Sequence, residues 1–349
     1  MRAAQPFVCV RVTDLRGVDL DAFSFDFDLT FAVLVVHPDG RVLHRYGGRD
    51  HRSADARLSM GSLVTFLEAA AKSAAAHVAR PRPAAKRRTL DDVPVWRAKM
   101  ERRKQPLACY HCHYVFDAER HQRLADGTWT PDQVWRWPPP ERIGLTLARE
   151  PLGQVAAVRS DSPAARAGLR AGDRLLRAAE RPLLSALDLS AVLEELPRGA
   201  ARLSLRVERA GREVEATLAL AAGWKVGTPL EFSWRPSKWD LSPRPGFGGR
   251  DLGPAERSRL GLPAQGLAFR VGYIVDWGGV PDPRFGQRAR QAGLRKGDLV
   301  LGVEGVALRH HAHFHSWWRL TRQPGDEVVL RVRRGKDERR VRLRVPPRR

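Results

Sequence analysis

Alternating and clustered apolar positions divide the chain into short strand-like runs and a few helical stretches. Phe7–Val12 reads as a short apolar strand and Leu29–Val36 (LTFAVLVV) as a buried one. His37-Pro38-Asp39-Gly40 is a turn, Arg41–Arg45 alternates as the hairpin partner, and Gly47-Gly48 breaks the chain. Met60–Val78 has the length and alanine content of a closing helix. Residues 81–106 are rich in charge and proline and read as a linker with one short helix around Trp96–Arg103. Further on, Ala201–Val207 and Arg212–Leu220 alternate as a hairpin around Arg209-Ala210-Gly211, after a helix at Ala186–Leu196. The last hundred residues repeat that grammar. Strands are expected at Leu267–Val275 and Leu299–Val303, a helix at His311–Arg322, and a hairpin of Glu327–Val332 with Arg339–Val345 across Gly335.

The repetition is explicit in one element. Asp161–Leu176 (DSPAARAGLRAGDRLL) returns 125 residues later as Arg288–Leu301 (RARQAGLRKGDLVL). Each copy holds Ala-Gly-Leu and then Gly-Asp: a short helix closed by glycine, a leucine plugging the core, a tight turn and a buried strand. Two copies at domain spacing mean two similar modules. Ser-Pro-Ala, Ala-Gly-Leu and Gly-Asp in this order resemble the PDZ domains of bacterial HtrA-type proteins. The resemblance implies modules at 141–221 and 246–349, joined by a connector at 222–245 that carries Trp224, Trp234 and Trp239. It also implies a loop whose backbone amides receive a peptide carboxylate, at Ile143, Gly144, Leu145 and Thr146 in the first module and at Phe247, Gly248 and Gly249 in the second. An incoming peptide would pair with the strand that follows.

The formal charge of +22 raises nucleic acid as a partner. Fifty-three of the sixty-one basic residues are arginine, spread along the whole chain with no nucleic-acid-binding motif, so no nucleic acid is expected. No apolar run is long enough for a transmembrane helix, and MRAAQPFVCVRV lacks the layout of a signal peptide. Three cysteines are too few for a disulfide framework, and Cys9 reads as a core residue. Cys109-Tyr110-His111-Cys112-His113, within a segment at 107–140, is the sharpest chemical signal. Cys-X-X-Cys-His is the attachment pattern of haem c, with Cys109 and Cys112 as thioether donors and His113 as proximal iron ligand. Zinc held by the cysteines with His113 or His121, a redox dithiol, and an unlinked pair of thiols stay open beside it. His310, His311, His313 and His315 read as a polar helix entrance rather than a metal site.

CVRVTDLRGVDL, RYGGRD, CYHCHYVFDAER and IGLTL, in this order, resemble the planctomycete-type thioredoxin-like/PDZ (seleno)protein family over essentially the whole chain. The resemblance implies a partial thioredoxin-like segment at 1–80, lacking the half that carries the redox cysteines. It also implies an exported protein, and a chain that begins late relative to its family. The fold class expected is multidomain, α/β plus mainly β, with a partial thioredoxin-like domain followed by two PDZ-like domains. The function expected is binding of extended or C-terminal peptide segments, the alternative being haem- or thiol-based electron transfer. No protease nucleophile loop and no thioredoxin active-site motif occur in the chain.

Overall fold

The computed structural model describes residues 2–79, 86–277 and 282–347. The chain divides into two compact units, Met1–Gly227 and Thr228–Arg349, with the boundary inside the expected connector.

Unit 1 opens with an antiparallel hairpin, β1 (Ala32–Val36) and β2 (Val42–Gly47), followed by α1 (Met60–Ala75). Ser59 caps α1 through a reciprocal capping box with Ser62. Tyr46 on β2 buries its ring on Phe66 of α1 and shares its hydroxyl with Ser62 at 2.7 Å. Phe7–Val12 forms no strand. Val8, Val10 and Val12 are 95%, 79% and 61% exposed, and Cys9 is exposed rather than in the core. An apolar run becomes a strand only where a neighbour supplies its backbone partners. Without that first strand, hairpin and helix alone do not make the expected thioredoxin-like half.

Nor are residues 86–106 a free linker. Leu90 and Trp96 are 1% and 3% exposed, and α2 (Pro94–Glu101) packs on α3 (Tyr114–Ala125), where Gln122 Oε1 accepts the Val95 N–H at 3.1 Å. The rest of the expected linker, 81–85, lies outside the described residues.

The first module follows as β3 (Leu145–Leu147), β4 (Val155–Val158), α4 (Pro163–Arg166), β5 (Arg174–Ala178), β6 (Arg181–Pro182), α5 (Ala186–Glu195), β7 (Ala201–Arg209) and β8 (Arg212–Leu220). β3 pairs with β4, and a second sheet runs β6-β5-β7-β8. Ile143, Leu145, Leu189, Leu193, Leu205 and Val207 are fully buried between them.

Unit 2 contains α6 (Pro229–Phe232), β9 (Phe247–Asp251), α7 (Pro254–Arg259), β10 (Phe269–Ile274), α8 (Arg284–Gln291), β11 (Leu299–Val303), α9 (His311–Thr321), β12 (Glu327–Arg334) and β13 (Asp337–Arg344). Its five strands form one antiparallel sheet in the order β13-β12-β11-β10-β9. Phe247 and Phe269 stack at its centre with Phe314 tilted against both, each burial worth about 2 kcal/mol. The segment expected as an insertion, Asp276–Phe285, falls partly at 278–281, outside the described residues.

The offset of 125 holds without a gap from Ala164 and Ala289, both fully buried, to Leu220 and Val345. β5 aligns with β11, α5 with α9, and the closing hairpins with each other.

Candidate functional site

The two Gly-Asp turns are built alike. Asp173 is 1% exposed and accepts two hydrogen bonds from Arg209 at 2.7 and 2.8 Å, plus the Arg170 N–H at 2.8 Å, while Arg209 also donates to the Gly168 carbonyl. Asp298 is likewise 1% exposed and accepts from Arg334 at 2.7 and 2.8 Å and from the Arg295 N–H, while Arg334 reaches the Gly293 carbonyl. A planar guanidinium fits a carboxylate in this forked geometry. Burial would raise the Asp173 carboxyl, but Arg209 and the Arg170 N–H outweigh it and hold it below the usual carboxylate range. Sequence reading found the aspartates and missed the arginines. The available signal was that each arginine ends the strand leading into the closing hairpin, in both copies.

In the first module, Ile143 and Leu145 are fully buried and Thr146 is exposed. Gly144 has φ +94°, and a Cβ there would stand 2.1 Å from Ser162, the N-cap of α4. Its N–H donates to the Glu141 carbonyl at 3.1 Å and its carbonyl accepts from Arg159. The glycine therefore serves close packing, and its amide is engaged within the turn rather than turned toward an expected carboxylate. The surface beside β3 and α5 is occupied by the same unit. The Arg45 N–H donates to Asp188 of α5 at 2.6 Å, and Ser185 donates to the Arg45 carbonyl. Arg57 pairs with Glu141 at 2.6 Å, and Ser59 donates to Glu150. The end of β2, the end of β3 and the start of α5 line one cavity, at Gly47, Leu147 and Ala186.

In the second module, Phe247, Gly248 and Gly249 lie in strand β9, correcting the expected loop. Antiparallel pairing with β10 runs from Phe247↔Ile274 to Asp251↔Phe269, with an irregularity between Val271 and Tyr273. A Cβ at Gly249 would stand 1.7 Å from the Arg270 carbonyl oxygen, so glycine lets the strands close at that irregularity. The other side of β9 turns to α9. The Gly249 N–H donates to His311 Nε2 at 3.2 Å, and Asp251 accepts the His311 N–H at 2.7 Å. His315 Nε2 lies 2.9 Å from His311 Nε2 under the Trp239 ring, and Arg319 holds the Trp239 and Leu241 carbonyls. Burial pushes His311 down to about 4, the Asp251 carboxylate opposing and Lys238, His310 and Arg319 adding to it. Burial likewise holds His315 well below its ordinary value. The expected polar entrance is thus mostly interior, with His313 and His315 8% and 2% exposed and His310 capping the helix.

The Cys-X-X-Cys-His segment precedes α3 as an irregular loop pinned to the amino-terminal segment. Cys109 donates to the Thr13 carbonyl at 3.1 Å, and the Tyr110 N–H donates to Asp14 at 3.0 Å. Burial pushes the Cys112 thiol up, and the neighbouring Cys109 adds to the rise. His113 Nδ1 lies 3.4 Å from Asp117, one turn along the helix. Cys109, Cys112 and His113 do not bring three donor atoms within 4.8 Å of one another.

Two segments of the chain match models of the PDZ domain, residues 154–209 and residues 268–345. The chain thus carries two PDZ domains in a mixed α/β, sheet-rich structure. It is also similar to the magnetosome formation protease MamE of Magnetospirillum gryphiswaldense, 25% identical over 57% of this chain and 28% of that protein. The MamE protein of Paramagnetospirillum magneticum is 27% identical over 58% of this chain and 31% of its own length. The match therefore spans about three-tenths of these curated relatives. No helix among the described residues is long and apolar enough to cross a membrane.

Proposed function

We propose that this tandem-PDZ chain captures extended peptide segments, and that it does so at β9 of the second domain. The observation that carries the reading is the Gly249 N–H, which is not spent on β10 but points across to His311 on α9. β9 is the terminal strand of its sheet. An extended segment added there replaces the imidazole nitrogen with a backbone carbonyl, the exchange that defines β-strand addition. The apolar ground beside it, Trp239 and the start of α9, supplies side-chain selectivity. In the first domain the corresponding ground is taken by the chain's own β2 hairpin and the segment carrying Arg57 and Ser59, so that domain serves as scaffold.

The test is fluorescence anisotropy of a labelled peptide library on the full chain, each peptide with a free and with an amidated C-terminus. Saturable binding that tightens on His311→Ala supports the reading. Absence of saturable binding across the library sinks it. A second reading concerns Cys109, Cys112 and His113. Asp117 lies 3.4 Å from His113 Nδ1, and a hydrogen bond formed there on binding would leave Nε2 for an iron. Covalent haem there predicts a Soret band that stays with the denatured chain after expression with c-type haem maturation machinery. A colourless chain of apo mass removes that reading and leaves peptide capture untouched.

A further inference from the structure

We propose that His37, Asp39 and His77 form a binding site for a zinc-class divalent transition-metal ion. The three residues come from two elements, the His37-Pro38-Asp39-Gly40 turn between β1 and β2 and the chain just beyond α1. One donor atom from each lies within 4.8 Å of the other two, the sole such histidine, cysteine and carboxylate grouping among the described residues. His37 Nδ1 stands 3.2 Å from Asp39 Oδ1, and His77 Nε2 stands 2.9 Å from Asp39 Oδ2. In a tetrahedral zinc site with ligand bonds near 2.0–2.1 Å, donor atoms stand about 3.3 Å apart. The two imidazoles thus meet the two oxygens of one carboxylate at separations near that value, and small ring movements bring one donor from each side chain to a common ion.

The division of labour within Asp39 fits as well. Oδ1 accepts the Arg41 N–H at 3.0 Å and shapes the turn, while Oδ2 faces His77. His37 Nδ1 meets both the Asp39 N–H, at 3.3 Å, and the Asp39 carboxylate. A metal ion at Nδ1 takes that atom's one lone pair in place of the Asp39 N–H and meets the carboxylate as a cation. Arg41 Nε now lies 3.8 Å from Oδ2, but its side chain is 44% exposed and free to swing outward. The side chains of His37, Asp39 and His77 are 18%, 8% and 22% exposed, so three protein ligands leave the fourth corner to water or to an incoming ligand. Two imidazoles and one carboxylate suit zinc better than calcium or magnesium, which prefer all-oxygen shells. Bound there, the ion ties the hairpin turn to the end of α1.

The test uses the full chain carrying Cys109→Ser and Cys112→Ser, so that the thiols do not contribute. After chelator stripping, Zn2+ alone is titrated by calorimetry, with metal content checked by mass spectrometry. One equivalent is expected to bind saturably and to raise the thermal midpoint. His77→Gln, beyond the helix and away from the core, is expected to weaken that equivalent about a hundredfold or more. Asp39→Asn, which keeps the Oδ1 acceptor of the turn, is expected to do the same, with circular dichroism unchanged in both. Absence of a saturable equivalent overturns the proposal. So does an equivalent whose affinity is unchanged in both His77→Gln and Asp39→Asn, because the ion then sits elsewhere.

Discussion

The two PDZ domains share one frame, and the same positions are used to different ends. From Ala164 to Leu220 and from Ala289 to Val345 every residue has a counterpart 125 positions on, including the Asp173–Arg209 and Asp298–Arg334 pairs. Ser185 and His310 both cap the helix that follows. Then the copies diverge. The first helical position is Ala186 in one and His311 in the other. Alanine leaves a cavity toward Leu147 and Gly47, beside which the β2 hairpin docks, whereas the imidazole reaches Gly249 of the edge strand. Eight residues further on, Glu194 and Arg319 fasten the chain ahead of each domain with opposite polarity. Glu194 accepts the Trp137 N–H at 2.9 Å and pairs with Arg136, while Arg319 donates to the Trp239 and Leu241 carbonyls. Burial alone would lower the Arg136 guanidinium, but Glu194 and Glu119 outweigh it and hold it above its ordinary value. A duplicated scaffold thus keeps its turn and its helix while a few helix positions decide what meets the pairing strand.

The comparison breaks first at the shared turn. Asp173→Ala and Asp298→Ala each remove a nearly buried acceptor of several hydrogen bonds, and each is expected to cost about 2–3 kcal/mol. Denaturant unfolding should show equal costs in the two domains, each confined to its own unit. A large inequality would mean that the two turns are alike only in outline. Asp173 adds a pH signature. Its folded carboxyl lies below the unfolded value near 3.9, so its contribution is complete above that value and is lost as pH falls through the folded one.

Acid sharpens the contrast at a higher pH. His311 titrates at about 4 when folded and near its ordinary 6.5 when unfolded. The unfolded chain therefore binds the extra proton first, and stability is full above pH 6.5 and falls between pH 6.5 and about 4. The expected loss in the second domain is about 2 kcal/mol after allowance for partial exposure, followed by urea midpoints across that range. The first domain has Ala186 and Ser190 at the positions of His311 and His315, so it lacks this pair's contribution and its midpoint should fall less across that range. Equal acid sensitivity in both domains would contradict the assignment.

A smaller effect concerns binding. His311→Ala frees the Gly249 N–H without altering the ladder to β10. Peptide affinity is then expected to rise by a few-fold to about tenfold, the net worth of one hydrogen bond. Weaker binding in that variant would mean that His311 touches the peptide instead of yielding to it. The smallest shift is expected for Thr146→Ala, an exposed position on β3 that should leave peptide binding within about twofold if the first domain is scaffold.

The repeated turn, the strands around it and the helices α5 and α9 were legible because their signals are local: glycine at fixed offsets, alternation, a helical length. The Arg209 and Arg334 partners were not, since each lies 36 residues from its aspartate and only folding brings them together. Phe247-Gly248-Gly249 read as a loop because the PDZ resemblance sets the carboxylate-binding amides there. Here the glycines admit a close strand instead, and that depends on the irregularity in β10. Val8, Val10 and Val12 carried the pattern of a strand but no neighbour to pair with, while Leu90 and Trp96 anchored a stretch whose charge and proline argued for a linker.

Hydrogen exchange on the full chain, with and without a saturating library-selected peptide, addresses the central claim most directly. The predicted result is new protection at Phe247–Asp251 and the start of α9, with Leu145–Leu147 unchanged. Protection at Leu145–Leu147 with β9 unchanged would contradict the account and make the first domain the receptor.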